Sequence, residues 1–179
     1  GRTGESLWGF ERHGVVPDIM TIGKPMGNGM PVAATILRPE LAESFGRDVR
    51  YFNTFGGNPV SVAAAQAVLD VVRDEQLQHN ALVVGDGLRT QLRSLADPGI
   101  GDVRGTGLFI GVELVNSDGS PDETRTLAIV NELRRRHVLT ATSGPYNNVL
   151  KVRPPLPFSS TDGDRLVTEL DAALTRHRG

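Results

Sequence analysis

The chain has 179 residues, of which 39% are hydrophobic, 5% aromatic and 22% charged, and its formal net charge is -2. This length allows one or two domains with a hydrophobic core, whereas mixed charges and few aromatic residues argue against a nucleic-acid-binding protein. The absence of cysteine excludes disulfides and thiolate metal sites, no metal site is predicted, and no apolar run is long enough to span a membrane.

Residues 1–16 are predicted to form a loop and a short amphipathic turn, and the most informative stretch follows at residues 17–32 (PDIMTIGKPMGNGMPV). The apolar residues at 19, 20 and 22 predict a short strand that is buried on both faces. Lys24 comes where that strand ends, in a turn whose three glycines leave room for backbone or a ligand to approach. A lysine at the end of a buried strand is a candidate functional residue.

Lys24 has two interpretations. One is an ordinary surface lysine with its ammonium group in water, which is usual because lysine is almost never fully buried. The other is a desolvated lysine that forms a Schiff base with a carbonyl compound. A phosphate-binding P-loop is excluded because Asp18 and Pro25 occupy positions where that motif needs a glycine and a hydroxyl residue, and Val32 excludes a dinucleotide-binding fingerprint in the same way.

The next elements alternate between strands and helices. Residues 32–37 predict a strand, and a short helix follows through Phe45. Residues 53–59 (NTFGGNP) predict a turn in which Asn58 caps a helix that begins at Pro59. Such turns and helix N-termini can bind anions, although a plain capped turn explains the residues equally well. A long amphipathic helix is expected from Leu77 to Leu95.

The remainder of the chain is predicted as a second domain that begins near Asp97-Pro98-Gly99. Residues 103–115 are expected to be mostly strand, and the Gly-Thr-Gly at 105–107 is not a dinucleotide fingerprint because the third glycine is missing. The other predicted elements are a helix over 121–137 whose Arg134-Arg135-Arg136 end is solvated and structural, strands at 138–140 and 149–152, and a last helix capped by Ser160. Alternating helices and strands predict an α/β fold.

Four motifs, in this order, resemble the class III (ω) aminotransferase family, whose enzymes use pyridoxal phosphate. They are residues 1–4 (GRTG), 17–24 (PDIMTIGK), 51–59 (YFNTFGGNP) and 105–113 (GTGLFIGVE). The resemblance implies the fold-type I architecture, with residues 1–96 as the C-terminal part of the large cofactor-binding domain with a connecting helix and 97–179 as the C-terminal small domain. It also implies that the chain is the C-terminal part of a longer enzyme, for which a cytoplasmic location is expected.

The resemblance assigns roles to two of these residues. Lys24 would bind pyridoxal phosphate through a Schiff base and, once a substrate amine has displaced it, would remove a proton from the substrate as general base. Thr54 would donate a hydrogen bond to the phosphate of the cofactor bound in the neighbouring subunit. The resemblance therefore implies a homodimer with shared active sites and a small amine as substrate.

Lys151 departs from the family pattern. Many members have, three residues before the first proline of a Pro-Pro pair, an arginine that binds the substrate α-carboxylate, and lysine cannot reproduce that two-pronged contact. Residues 148–151 (NVLK) and 23–29 (GKPMGNG) most resemble the phospho-lyase branch, whose substrates include ethanolamine phosphate. Lys151 would then meet a phosphate as a point charge; alternatively it is a strand lysine that faces water.

Three hypotheses therefore stay open. The chain belongs to a phospho-lyase, to an ω-amine or amino-acid transaminase of the same family, or, if these 179 residues are the whole protein, to a non-catalytic fragment or assembly module.

Overall fold

The computed structural model describes residues 1–178, which divide into two compact units. One unit is the continuous segment Trp8–Gln76, and the other combines Gly1–Leu7 with the chain from Leu77 onward. Both contain helices and strands, as the α/β prediction required. In the described part of the chain, no helix is long and apolar enough to cross a membrane.

The unit Trp8–Gln76 contains a two-stranded sheet and two α-helices. A 3-10 helix at Gly9–His13 precedes β1 (Ile19–Ile22) and β2 (Ala34–Leu37), which pair antiparallel, and α1 (Pro39–Asp48) and α2 (Pro59–Asp74) follow. The strand predicted at residues 19–22 is confirmed, but its predicted burial is wrong. None of its residues is buried, and Ile19 is 54% exposed, because within this sheet β1 has only β2 beside it.

Helix α2 begins as its sequence predicts. Pro59 is the first helical residue, and the side chain of Asn58 accepts a hydrogen bond from Ser61 N–H at 3.0 Å. The helix packs against a second 3-10 turn, Lys24–Gly27, which directly follows β1. In α2 only Ser61 and Ala65 are buried.

The other unit is a four-stranded antiparallel sheet covered by three helices. Its elements are α3 (Leu77–Arg93), β3 (Ile100–Thr106), β4 (Phe109–Leu114), α4 (Glu123–Arg135), β5 (Ala141–Ser143), β6 (Val149–Val152) and α5 (Ser160–Arg176). The strand order is β3-β4-β6-β5. Leucine, isoleucine and valine side chains from β3, β4, β6 and all three helices form one core, including Leu92, Val112, Ile129, Leu150 and Leu174.

Three expectations for this unit need correction. Residues 103–115 are mostly strand, as predicted, but they form a hairpin that turns at Gly107-Leu108, where positive φ values at Gly105 (135°) and Gly107 (50°) help to reverse the chain. The strand expected at 138–140 instead occupies residues 141–143. The last helix is capped by Ser159, one residue earlier than expected, whose hydroxyl accepts from Asp162 N–H at 3.2 Å.

The boundary predicted between residues 96 and 97 stays a prediction. It would separate α3 from the elements on which this helix packs, which are β3, β4 and α5. In the described chain, α3 therefore belongs to the same compact unit as the sheet that follows it.

The Gly-Arg-Thr-Gly segment at residues 1–4 and the Gly-Thr-Gly segment at residues 105–107 pack closely against each other and against α3. Leu108 N–H donates to Arg2 C=O at 3.0 Å, and the Thr106 hydroxyl donates to Thr3 C=O at 3.2 Å. A Cβ atom on Gly85 of α3 would overlap the backbone carbonyl of Gly107. The Gly-Arg-Thr-Gly and Gly-Thr-Gly sequences thus allow backbones to approach each other, which is the packing role that glycine permits.

The outer edge of the sheet at β3 is covered by arginine side chains. Arg93 donates to Val103 C=O at 2.9 Å and Arg89 donates to Gly105 C=O at 2.7 Å. Both arginines lie on α3 and occupy carbonyls that would otherwise be free to pair with another strand.

Two buried carboxylates hold the helices of this unit together. Asp97, whose side chain is 1% exposed, accepts from both terminal nitrogens of Arg125 at 3.0 and 2.8 Å. Burial opposes ionisation of Asp97, but the hydrogen bonds from Arg125 and Gly99 N–H and the charge of Arg125 outweigh it and hold the pKa of Asp97 below its usual value. Arg178 adds a contact at 3.3 Å from the end of the chain.

Glu132 is the second buried carboxylate. Its oxygens accept from Arg136 at 3.0 Å and Arg135 at 3.1 Å. Burial again opposes ionisation, and these arginines overcome it, so the pKa of Glu132 lies below its usual value. Arg134 and Arg135 are exposed as predicted, but Arg136 is not a solvated helix end, because it bridges Glu132 and Glu169.

Candidate functional site

Lys24 lies in the turn between β1 and β2, where the chain leaves the sheet. It follows Gly23 and is the first residue of the 3-10 turn Lys24–Gly27. Its φ is 46°, in the left-handed region that a residue with a Cβ occupies at a cost of roughly 1–2 kcal/mol. Pro25 comes next, and a following proline restricts the backbone further. Strained residues of this kind concentrate at functional sites.

The glycines around Lys24 serve packing and turning. Gly27 is buried, and a Cβ there would lie 2.7 Å from Cγ1 of Val32. Gly29 has a φ of 108° and open space around it. Hydrogen bonds from Asn28 N–H to Pro25 C=O and from Met30 N–H to Gly27 C=O, at 3.1 and 3.0 Å, hold the turn.

The amine of Lys24 is free within residues 1–178. The residue is exposed, and it makes no ion pair with the part of the chain that the structure describes. The desolvation that a Schiff-base lysine needs is therefore not supplied by these residues, and both interpretations of Lys24 stay predictions.

Lysine usage separates Lys24 and Lys151 from the other cationic residues. The sequence contains only these two lysines beside 17 arginines, so arginine supplies the ordinary positive charge. Arginine cannot form a Schiff base, and it offers a planar fork instead of a compact ammonium group. This composition signal was available in the sequence, and it favours a chemical reason for lysine at both positions.

Thr54 lies in the turn that leads into α2. The residue is exposed, and its hydroxyl has no hydrogen-bond partner within residues 1–178. Asn53 Oδ1 accepts from Phe55 N–H at 3.2 Å and from Gly56 N–H at 3.1 Å. The remaining free donors of the turn, in the described chain, include the amide and hydroxyl of Thr54 and the backbone amides of Asn53 and Gly57.

This arrangement narrows the anion-binding expectation for residues 53–59. Two of the first amides of α2 are already bonded, since Ser61 N–H donates to the Asn58 side chain at 3.0 Å and Val62 N–H to the Asn58 carbonyl at 3.1 Å, whereas Val60 N–H has no partner in the described chain. An anion at this turn would therefore have Thr54 as its only free hydroxyl donor, whereas the helix N-terminus offers only the Val60 amide among the described residues. The role of Asn53 was not anticipated, although an asparagine two residues before an amide donor is the signal of an Asx turn.

Lys151 lies in β6, opposite Gly111 of β4 and Ala141 of β5. Its neighbours Leu150 and Val152 belong to the core, so strand alternation turns Lys151 to the other face of the sheet. It is half-buried and has no ion-pair partner in residues 1–178. Its free ammonium can meet an anion as a point charge.

A cavity of about 340 Å³ adjoins Lys151. Its polar lining consists of His137, Thr140, Lys151, Arg153, Asp162 and Arg165. The only carboxylate among the lining residues, Asp162, already accepts from the Ser159 amide at 3.0 Å and from its hydroxyl at 2.6 Å. The lining therefore combines an excess of positive charge, which suits an anionic group, with seven apolar residues that include Val152 and Leu166 of the core.

Lys24 and Thr54 lie in the unit Trp8–Gln76, whereas Lys151 lies in the other unit. Helix α2 connects the first two, because it starts after the Thr54 turn and packs against the Lys24–Gly27 turn. In the described residues, no group of three or more histidine or acidic side chains could hold a metal ion.

Comparison with known proteins places these features in a family. Residues 1–174 match the family described as aminotransferase class-III. The chain is 44% identical over 181 residues to an alanine–glyoxylate aminotransferase 2-like protein of Drosophila melanogaster, which covers 98% of the chain and 37% of the relative. It is 43% identical over 182 residues to ethanolamine-phosphate phospho-lyase homolog 1 of Caenorhabditis elegans, covering 98% and 39%.

The fold is likewise similar to that of a solved enzyme. A phospholyase from Arthrobacter, solved in complex with phosphoethanolamine, superposes with a TM-score of 0.95 at 41% identity, over 97% of the chain and 42% of that structure. The chain thus spans less than half the length of the proteins it matches.

Proposed function

This chain belongs to the class-III aminotransferase family, and from this membership we propose that it is the C-terminal portion of a pyridoxal-phosphate-dependent phospho-lyase that eliminates phosphate from an amino-alcohol phosphate. Enzymes of this family use pyridoxal phosphate, and their solved relatives have the fold-type I architecture. The observation that carries the phospho-lyase proposal is Lys151, an unpaired lysine beside a cationic cavity, at the position where many family members have a carboxylate-binding arginine.

The residues present fit pyridoxal phosphate. The cofactor has an aldehyde and a phosphate, and Trp8–Gln76 offers a free lysine amine and a turn with unbonded hydroxyl and amide donors. When bound, the cofactor supplies an electron sink that stabilises negative charge on the substrate carbon next to the amine. Lys24 would hold the cofactor covalently, and Thr54 would donate to the cofactor phosphate.

Lys24 has a second role in this proposal. Its Nζ, when not bonded to the cofactor, takes the proton from the substrate carbon that bears the amine, as general base. The left-handed backbone at Lys24 fixes where the side chain leaves the turn, so it supports a positioned amine.

Lys151 would bind the substrate phosphate. An ammonium group without a competing carboxylate stabilises the negative charge that increases on the phosphate as it leaves. Arg153, which lines the same cavity, adds a second positive charge for a dianionic group. A substrate with an α-carboxylate would lose the two-pronged arginine contact at this position.

The proposal includes a homodimer that shares its active sites, with Thr54 donating to the phosphate bound in the other subunit. Large apolar side chains around Thr54 support it: Phe52, Phe55 and Val60 are 83%, 79% and 63% exposed. Contiguous exposed apolar surface commonly marks a protein interface. A cytoplasmic location, which the lack of cysteine favours, is part of the same proposal.

A transaminase of the same family is the second candidate. The similarity to an alanine–glyoxylate aminotransferase 2-like protein is as high as that to the phospho-lyase homolog. Such an enzyme needs a keto-acid acceptor, whereas a phospho-lyase needs none. The non-catalytic alternative predicts instead that residues 1–179 act without binding the cofactor.

The test uses full-length protein with pyridoxal phosphate and ethanolamine phosphate, without any keto acid, and follows cofactor absorbance and free phosphate together. Phosphate release that is lost in Lys24→Ala is the expected result. Cofactor binding without phosphate release, but with turnover when a keto acid is added, would establish the transaminase. If the cofactor absorbance does not depend on Lys24, the role proposed for this lysine is wrong.

A further inference from the structure

Asn53 organises the turn that carries Thr54. Its side-chain carbonyl lies across the turn and accepts from two successive amides, Phe55 N–H at 3.2 Å and Gly56 N–H at 3.1 Å. Its amide nitrogen donates to the Tyr51 hydroxyl at 3.2 Å. These contacts span the residues on both sides of Thr54, so they fix the backbone at Thr54 itself.

Gly56 makes room for this arrangement. A Cβ at Gly56 would lie 3.0 Å from both Cγ and Nδ2 of Asn53, which is tighter than an ordinary contact. The absence of a side chain at residue 56 therefore lets the Asn53 amide group lie over the turn. In the sequence Asn-Thr-Phe-Gly, the asparagine thus supplies the side chain that bonds the turn and the glycine supplies the space for it.

The bonds made by Asn53 also decide which donors a ligand can use. They occupy the Phe55 and Gly56 amides, so that the free donors of this turn in the described chain are the Thr54 hydroxyl and the backbone amides of Asn53, Thr54 and Gly57. The cap of α2 is a separate device, because it is made by Asn58. Asn53 is thus not needed to start the helix, and its contacts concern the Thr54 turn alone.

We propose that Asn53 is a positioning residue for the cofactor phosphate: it holds the turn in the conformation in which the Thr54 hydroxyl reaches that phosphate. This inference rests on the proposed role of Thr54. Its side-chain oxygen acts on the turn itself, because it accepts from the Phe55 and Gly56 amides.

The experiment measures the dissociation constant of pyridoxal phosphate, by absorbance titration of the full-length apoenzyme, together with its melting temperature. Loss of the two amide bonds in Asn53→Ala should weaken binding about tenfold. Asn53→Ser, whose hydroxyl can accept the same kind of hydrogen bond from the turn, should retain most of the affinity for pyridoxal phosphate. Affinity for pyridoxal, which has no phosphate, should be the same in Asn53→Ala as in the wild type.

A matched control is Asn80→Ala. Asn80 also braces backbone, donating to Leu156 and Phe158 carbonyls at 2.8 and 3.0 Å, but in the other unit. The Asn80→Ala substitution should lower the melting temperature without changing the affinity for pyridoxal phosphate. The effect of Asn53→Ala should vanish in a Thr54→Val background, because Asn53 acts through that hydroxyl.

Two results would overturn the proposal. One is an unchanged dissociation constant for pyridoxal phosphate in Asn53→Ala. The other is that Asn53→Ala weakens pyridoxal phosphate binding by the same factor whether residue 54 is threonine or valine. If Thr54→Val alone leaves binding unchanged, the role of Thr54 and this inference both fail. If the single and double variants at residues 53 and 54 bind the cofactor as expected, but the enzyme releases no phosphate from ethanolamine phosphate, the phospho-lyase function fails and the inference about Asn53 stands.

Discussion

At Lys24 the backbone conformation is one that a glycine would adopt more easily. With φ at 46°, the residue carries a steric cost that no contact within residues 1–178 obviously repays. The chemical role proposed for the amine, rather than a contribution to stability, would account for this cost.

Substitutions at Lys24 test this directly. Lys24→Gly should be more stable than Lys24→Ala by about 0.5–1 kcal/mol in urea unfolding, because glycine adopts a positive φ without strain. Thr21, an exposed residue in the extended strand β1, is the control. There the order should reverse, so that Thr21→Ala is more stable than Thr21→Gly. Equal stability of the two Lys24 variants would show that the residue is not strained.

Asp97 gives the molecule a predictable response to acid. Its pKa is lower in the folded state than in the unfolded chain, so its stabilising contribution is fully present above about pH 4, the usual aspartate pKa, and is lost as the pH falls through the lower folded value. Asp97→Asn, which leaves Arg125 without its buried partner, should cost roughly 3 kcal/mol at pH 7.

The measurement is the urea midpoint of wild type and Asp97→Asn between pH 2 and pH 7. The difference between the two proteins should shrink at the acid end of that range. Glu40→Gln, at an exposed position of α1, is the control that should change the midpoint little. A difference that stays constant down to the lowest pH would contradict the assigned ionisation of Asp97.

Among the elements, α3 offers two glycines with opposite expected behaviour. Gly85 packs on the carbonyl of Gly107, so Gly85→Ala should destabilise by about 1–3 kcal/mol through overpacking. A Cβ on Gly87 would have no neighbouring atom within 4 Å, and Gly87→Ala should stabilise the helix by about 1 kcal/mol. Urea unfolding of the two variants measures both effects, and stabilisation by Gly85→Ala would contradict the packing.

Element types were largely predictable from local sequence, but exact bounds and burial were not. Asn58 and Pro59 marked the start of α2 because capping is a local interaction. The turn of the β3–β4 hairpin was missed because Gly105 and Gly107 look alike whether they bind a ligand or turn the chain. The burial expected for β1 failed because burial depends on neighbours that periodicity alone does not specify.

The candidate site was predictable to a similar extent. Lys24 and Thr54 lie on loops beside β1 and α2, where their motifs placed them. Asn53 was not found: an asparagine in a turn suggests an Asx turn, but Asn-Thr-Phe-Gly does not by itself show that this side chain bonds both the Phe55 and Gly56 amides.

For the whole molecule, the proposed homodimer with shared active sites predicts complementation between two defective subunits. In a mixed dimer of Lys24→Ala and Thr54→Val chains, one site receives both substitutions and the other receives neither. Because random mixing makes half of the dimers mixed and half of their sites intact, about a quarter of wild-type activity should appear at a cofactor concentration too low to fill Thr54→Val sites. The measurement is phosphate release after co-expression. No recovery would place Lys24 and Thr54 in the same subunit's site, or would contradict the dimer.

The division of the chain has a consequence for its synthesis on the ribosome. Residues 1–7 belong to the unit that begins again at residue 77, and Arg2 C=O bonds to the amide of Leu108. At roughly 5–20 residues per second, translation of the hundred or so residues between these partners takes about 5–20 s. The nascent Gly-Arg-Thr-Gly segment therefore waits, undocked, while the continuous segment Trp8–Gln76 has already been synthesised. A synonymous-codon change that slows translation between residues 77 and 108 would lengthen this wait without altering a single side chain.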